Sequence, residues 1–185
     1  MNEVLERYLI EHCAPTLASL KTASLFCVKM ADEELERQLG EWNSRLGKKG
    51  LFLTALGRYE NRALIYVCRK SNLRIDLLRP GTEQFLAGYG YQSVDVDATL
   101  IRLTQRLREA GAFPHEIGVF LGYPLEDVMG FIQNRGKNSR YTGYWKVYCN
   151  ERETIKRFAQ FTKCREVYTR LWNQGKTVWQ LTVAA

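Results

Sequence analysis

Leu51-Phe52-Leu53-Thr54-Ala55-Leu56 and Ala63-Leu64-Ile65-Tyr66-Val67-Cys68-Arg69 are two short apolar runs, separated by a polar interval around Tyr59-Glu60-Asn61. Apolar runs of this length bounded by turn residues predict two strands joined as a hairpin. A hairpin sets antiparallel strands side by side, so the sheet is not built from parallel crossovers alone. Helical periods flank it on both sides. The expected fold is therefore α+β: a mixed or antiparallel sheet of about five strands flanked by helices, with 1–185 forming a single domain.

Upstream of the hairpin, Leu25–Met30 reads as a strand buried on both faces. Asp32 is placed as the N-cap of a helix over 32–46 with Leu35, Leu39, Trp42 and Leu46 on one face. Residues 3–11 fit a short amphipathic helix through Val4, Leu5, Tyr8 and Leu9, and 12–26 is a segment of small residues without clear period. Downstream, Leu73–Leu78 fits a helix or a strand equally and is ended by Pro80-Gly81. Thr82–Ala87 reads as a short helix. Val96, Leu100, Leu103 and Leu107 mark another near 94–110, ending near Gly111. Tyr144–Tyr148 predicts a short strand. Asn150 with Glu153 resembles a capping box opening a helix over 151–173. The alternation of Thr177–Val183 predicts a last strand with Trp179, Leu181 and Val183 on one face.

The densest local signal is Phe113-Pro114-His115-Glu116-Ile117-Gly118-Val119-Phe120-Leu121-Gly122-Tyr123-Pro124-Leu125-Glu126-Asp127-Val128-Met129-Gly130-Phe131-Ile132. Pro114 and Pro124 suit the first turns of two helices. Gly122 suits the left-handed residue between them. Ile117, Phe120 and Leu121, then Leu125, Val128, Met129 and Ile132, are their apolar faces, so a helical hairpin is expected at 114–133.

Composition narrows the class. With 45% hydrophobic residues the chain can bury a full core. No apolar run approaches the length of a membrane span, and the first residues carry no signal-peptide core, so a cytoplasmic protein is expected. Five cysteines without a C-x-x-C pair (Cys13, Cys27, Cys68, Cys149, Cys164) argue for reduced thiols. Cys27 and Cys68 sit in apolar runs as core packing. The net charge of +7 favours anionic partners. Neither G-x-G-x-x-G nor a Walker loop is present.

Three blocks carry a resemblance: His12-Cys13-Ala14-Pro15-Thr16-Leu17 with Lys21-Thr22-Ala23-Ser24-Leu25-Phe26; Phe113–Gly118 with Phe120–Val128; and Gly143-Tyr144-Trp145-Lys146-Val147-Tyr148. Together they resemble domain of unknown function family 3793, found mainly in anaerobic Firmicutes. The resemblance implies no mechanism. Its gene neighbourhoods imply a link to ferrous iron uptake and redox metabolism, with a flavodoxin-like protein as a redox partner.

Three kinds of chemistry are open. His12, Cys13 and His115, with Glu116 beside the last, supply imidazole, thiolate and carboxylate for a metal or haem. Cys13 with His115 would equally form a nucleophile and base. This requires 12–24 to pack against 113–124. Lys21, Ser24, His115, Glu116, Tyr123, Trp145 and Lys146 would instead line a pocket for an anionic, planar small molecule such as a flavin, nucleotide or tetrapyrrole. The runner-up is a helix-turn-helix nucleic-acid-binding regulator with Arg135, Lys137 and Arg140 beyond its second helix. Against that, Glu126 and Asp127 place two carboxylates where phosphates approach. The ordinary alternative for each residue is core packing or a solvated surface.

Overall fold

The computed structural model describes residues 3–59, 62–109 and 113–184. Glu60, Asn61 and Gly111, where a turn and a helix end are expected, lie outside the described residues. In chain order the elements are α1 (Glu3–Leu17), β1 (Ala23–Val28), α2 (Asp32–Leu46), a short 3-10 turn (Gly47–Lys49), β2 (Leu51–Tyr59), β3 (Arg62–Arg69), α3 (Lys70–Leu77) and α4 (Thr82–Ala87). They continue as α5 (Val96–Arg108), α6 (Ile117–Phe120), α7 (Leu125–Gln133), β4 (Tyr141–Thr142), β5 (Lys146–Val147), α8 (Glu151–Asn173) and α9 (Val178–Leu181). By its contacts the chain divides into two compact units, one of Met1–Leu73 with Cys164–Ala185 and one of Arg74–Lys163.

The first unit is built on the hairpin. β3 pairs antiparallel with both β1 and β2, giving the order β1-β3-β2. Central β3 buries every residue after Arg62, which explains its unbroken apolar run. β2 carries a bulge between Ala55 and Gly57. Its outer edge is closed by α2: the Asn43 amide donates to Leu53 O and accepts from Leu53 N, both at 2.8 Å, so this edge meets a side chain rather than another strand. Leu5, Leu9, Cys13 and Leu17 of α1 and Leu35, Leu39, Trp42 and Leu46 of α2 pack with Leu53, Ile65 and Val67 in one core.

Six expectations need correction here. The sheet has three strands, with β4 and β5 paired separately as two-residue strands. The run at 177–183 is a helical turn: Thr177 caps Gln180 N at 3.3 Å, and the Gln180 side chain returns to Thr177 N at 3.0 Å. That reciprocal cap satisfies two backbone donors a strand would have left open. α1 runs on through the segment read as aperiodic. Leu5, Leu9, Cys13 and Leu17 are fully buried at helical spacing, and Pro15 lies inside the helix near its end, where it takes one N–H out of the bonding ladder. Cys27 is exposed, on the face of edge strand β1 opposite the buried Phe26 and Val28, while Cys68 on central β3 is buried. At the capping positions, Ala31 rather than Asp32 is the N-cap of α2. Before α8, Asn150 has φ +45 and Glu153 pairs with Lys156 instead of reaching back. Among the described residues no helix is long and apolar enough to cross a membrane.

Candidate functional site

The second unit contains a cleft whose shape starts with three glycines. Gly122, at φ +75, turns the chain between α6 and α7, and Tyr123 N returns to Gly118 O at 3.0 Å. A β-carbon on Gly118 would lie 2.8 Å from Val128, and one on Gly130 would lie 2.6 Å from Tyr148. Both helices are thus pressed against neighbours that only a glycine admits.

Asp127 then ties α7 to the segment before α8. Its buried carboxylate accepts from Trp145 Nε1 at 2.8 Å, Tyr148 N at 2.7 Å and Cys149 N at 2.9 Å. Trp145 is fixed at its indole nitrogen, stacked on Tyr123 (centroids 4.5 Å apart, 24° between planes) and met edge-on by Phe158 at 4.5 Å. The same arrangement explains why the strand expected at 144–148 shrinks to Lys146–Val147: Gly143 N bonds Trp145 O in a turn.

A cleft of about 330 Å³ opens between these elements. Ile117, Leu121 and Val128 form its apolar floor, and Tyr123, Phe131, Tyr144 and Trp145 its walls. His115 is exposed at the rim, its ring edge-on to Phe131 at 4.9 Å. Lys146 also lines the cleft, its ammonium anchored on Gly136 O. Arg157 sits 5.9 Å from the Trp145 ring centroid. Burial raises the Tyr123 phenol to about 12 and, with help from Asp127, the Cys149 thiol to about 12. Neither is an anion at neutral pH.

Of the residues expected to bind a ligand, His115, Tyr123, Trp145 and Lys146 come together here. Glu116 does not line the cleft. It is buried against Arg106 Nε at 2.9 Å, with Tyr91 OH at 3.5 Å. Lys21 and Ser24, with His12 and Cys13, belong to the first unit. There the rings of His12, Tyr8 and Phe26 form a triangle, with centroids 5.4–5.5 Å apart. Ser24 bonds Thr16 at 2.9 Å, and Cys13 is fully buried with its thiol pushed up to about 12. A thiol held neutral by burial is a poor metal ligand and a poor nucleophile. Among the described residues no group of three or more His, Cys, Asp and Glu side chains is placed to hold a metal ion. The helix-turn-helix outline also changes. α6 is four residues long, Asp127 faces inward, and the exposed positions of α7 are Glu126, Met129 and Gln133.

Sequence reasoning missed Phe131 and Tyr144 as walls and Asp127 as the residue that fixes Trp145. The aromatic rings stood within the quoted blocks. The carboxylate gave no signal, because Asp is ordinarily exposed.

Lys21 makes a separate prediction. It is buried beside Cys13, donates to Ala23 O, and burial lowers its pKa from 10.5 to about 8. A basic group with a depressed folded pKa costs stability below about pH 8, and that cost disappears as pH rises to the unfolded value. Lys21→Met is therefore expected to be more stable than wild type at pH 7 by up to about 3 kcal/mol. The lost hydrogen bond to Ala23 O offsets about 1 kcal/mol of this. The advantage shrinks between pH 8 and 10.5 in urea titrations. A difference that is independent of pH would contradict it.

The chain matches the model of a family described as protein of unknown function, DUF3793, over residues 9–182. No curated protein and no solved structure matches it.

Proposed function

The chain belongs to the DUF3793 family, whose description assigns no activity, and we propose from its residues that it binds a small, flat, largely apolar molecule in the cleft of the second unit. One observation carries this reading: the Tyr123–Trp145 stack is held rigid by Asp127 beside an open apolar cleft. Rigid aromatic walls with a few polar groups at the rim are the usual construction of a small-molecule site. The volume of about 330 Å³ suits two or three fused rings, such as the ring system of a flavin, and not a tetrapyrrole. A role in redox or iron-linked metabolism fits a flavin-like occupant.

Titration calorimetry of the full chain with lumichrome, naphthoate and indole carboxylate tests the reading. At least one is expected to bind at micromolar concentration, and Thr142→Trp, which fills the exposed mouth, to abolish it. If none binds, or if Thr142→Trp leaves binding unchanged, the cleft is not a ligand site. The nucleic-acid reading has no comparable support, since α7 presents Glu126 to solvent and buries Asp127.

A further inference from the structure

We infer, resting on that cleft reading, that the ligand is an acid: a flat ring system carrying one oxyanion, which meets Lys146 and His115 at the mouth. Aromatic-walled clefts also suit cations, whose charge is attracted to ring faces, so the sign of the charge has to be argued. Among the described residues the one carboxylate lining this cleft is Asp127, whose oxygens already accept three N–H donors, so it has little room for a direct hydrogen bond to a bound cation. Arg157 already occupies a cation position over Trp145. A positive charge brought into the cleft would meet the Lys146 ammonium and, among the described lining residues, no carboxylate besides Asp127.

An oxyanion meets the opposite arrangement. The Lys146 ammonium has three donors, and its contact with Gly136 O fixes where it stands while leaving others to point at the mouth. Gly136 makes that position possible. At φ +71 it brings its carbonyl to Lys146, and a β-carbon there would sit 3.1 Å from Phe131 and 3.7 Å from the ammonium. The same Phe131 ring has His115 at its edge. Phe131, His115 and Lys146 all line the cleft, so a flat molecule lying against the phenyl ring would have both donors on the same lining.

Four naphthyl probes of one ring shape decide this: naphthoate, naphthyl phosphate, naphthamide and naphthylmethylammonium, each titrated into the full chain. At least one anionic probe is expected to bind about tenfold or more tighter than the amide, from the charge-assisted hydrogen bonds it gains. The ammonium is expected to bind weakest. Preference between the first two identifies carboxylate or phosphate as the group recognised. Lys146→Met, which keeps an unbranched apolar stem, should remove most of the acids' advantage over the amide. A circular dichroism spectrum matching wild type shows that the variant is folded. If all four bind alike, the oxyanion inference is overturned and the cleft reading stands. If the ammonium binds best, the cleft is a cation cage and the inference is overturned. If none binds, both readings fall together.

Discussion

Asp127→Ala is expected to destabilise the second unit by about 3–5 kcal/mol and to abolish ligand binding. Three donors lose their acceptor at once: Trp145 Nε1, Tyr148 N and Cys149 N. An unsatisfied buried donor costs about 1–3 kcal/mol, so the three together exceed the effect of an ordinary surface substitution several times over. Part is recovered where water reaches the two half-buried backbone groups. Asp127→Asn separates the components. Its carbonyl oxygen still accepts from the two backbone donors, but its amide nitrogen faces the Trp145 N–H, donor against donor. A loss of about 2 kcal/mol is expected, falling mainly on the indole. Guanidinium unfolding read by near-ultraviolet circular dichroism measures both. An Asp127→Ala variant within about 0.5 kcal/mol of wild type, the range of surface substitutions, would show that the carboxylate does not hold Trp145.

That prediction depends on a residue the sequence presents wrongly. Beside Glu126, at the start of a helix, Asp127 looks like half of an exposed acidic pair. Only the fold reveals that one of two adjacent carboxylates turns inward to receive the 145–149 segment. What could be read were features repeated over several residues. The hairpin, α2, α5 and α8 each carry three or more apolar residues at a consistent period, and α8 lies at the expected bounds of 151–173. α9 could not be read this way. Four residues make a single turn, and Val178 to Val183 alternates well enough to imitate a strand. The cap signature Thr177…Gln180 was the better guide. Cys27 shows the same limit: an apolar run does not disclose that its strand lies at the edge of the sheet. Four of the cleft residues were legible because the two blocks concentrate aromatic and basic groups, the usual lining of a small-molecule site. Glu116 failed because its neighbour His115 faces solvent while it turns towards Arg106.

Arg69→Met is expected to cost the first unit about 4 kcal/mol, despite replacing a buried cation with an apolar side chain that fills similar space. A buried ion pair is often dispensable, because both partners can be exchanged for apolar groups. Arg69 differs in that its partners are backbone. It is 1% exposed, and its guanidinium donates to Thr16 O at 2.8 Å, Leu17 O at 2.6 Å, Val183 O at 2.7 Å and Lys49 O at 3.2 Å. These carbonyls end α1, follow α9 and precede β2, so no substitution removes them. Thr16 and Leu17 are in the last turn of α1, whose carbonyls have no partner within the helix. Burial lowers the guanidinium's pKa, but the group stays protonated. Arg69→Lys should recover less than half of the loss, because one ammonium cannot reproduce a planar fork spread over four acceptors. The site of damage is specific. Val183 N also bonds Leu17 O at 3.0 Å, so hydrogen exchange at Val183 should accelerate in Arg69→Met more than exchange at the centre of β3. If stability fell while Val183 stayed as protected as β3, Arg69 would be acting through packing alone. If neither changed, the carbonyls would have found other donors, and the C-terminal segment would be held by α9 and by Lys49, whose ammonium donates to Trp179 O and Thr182 O.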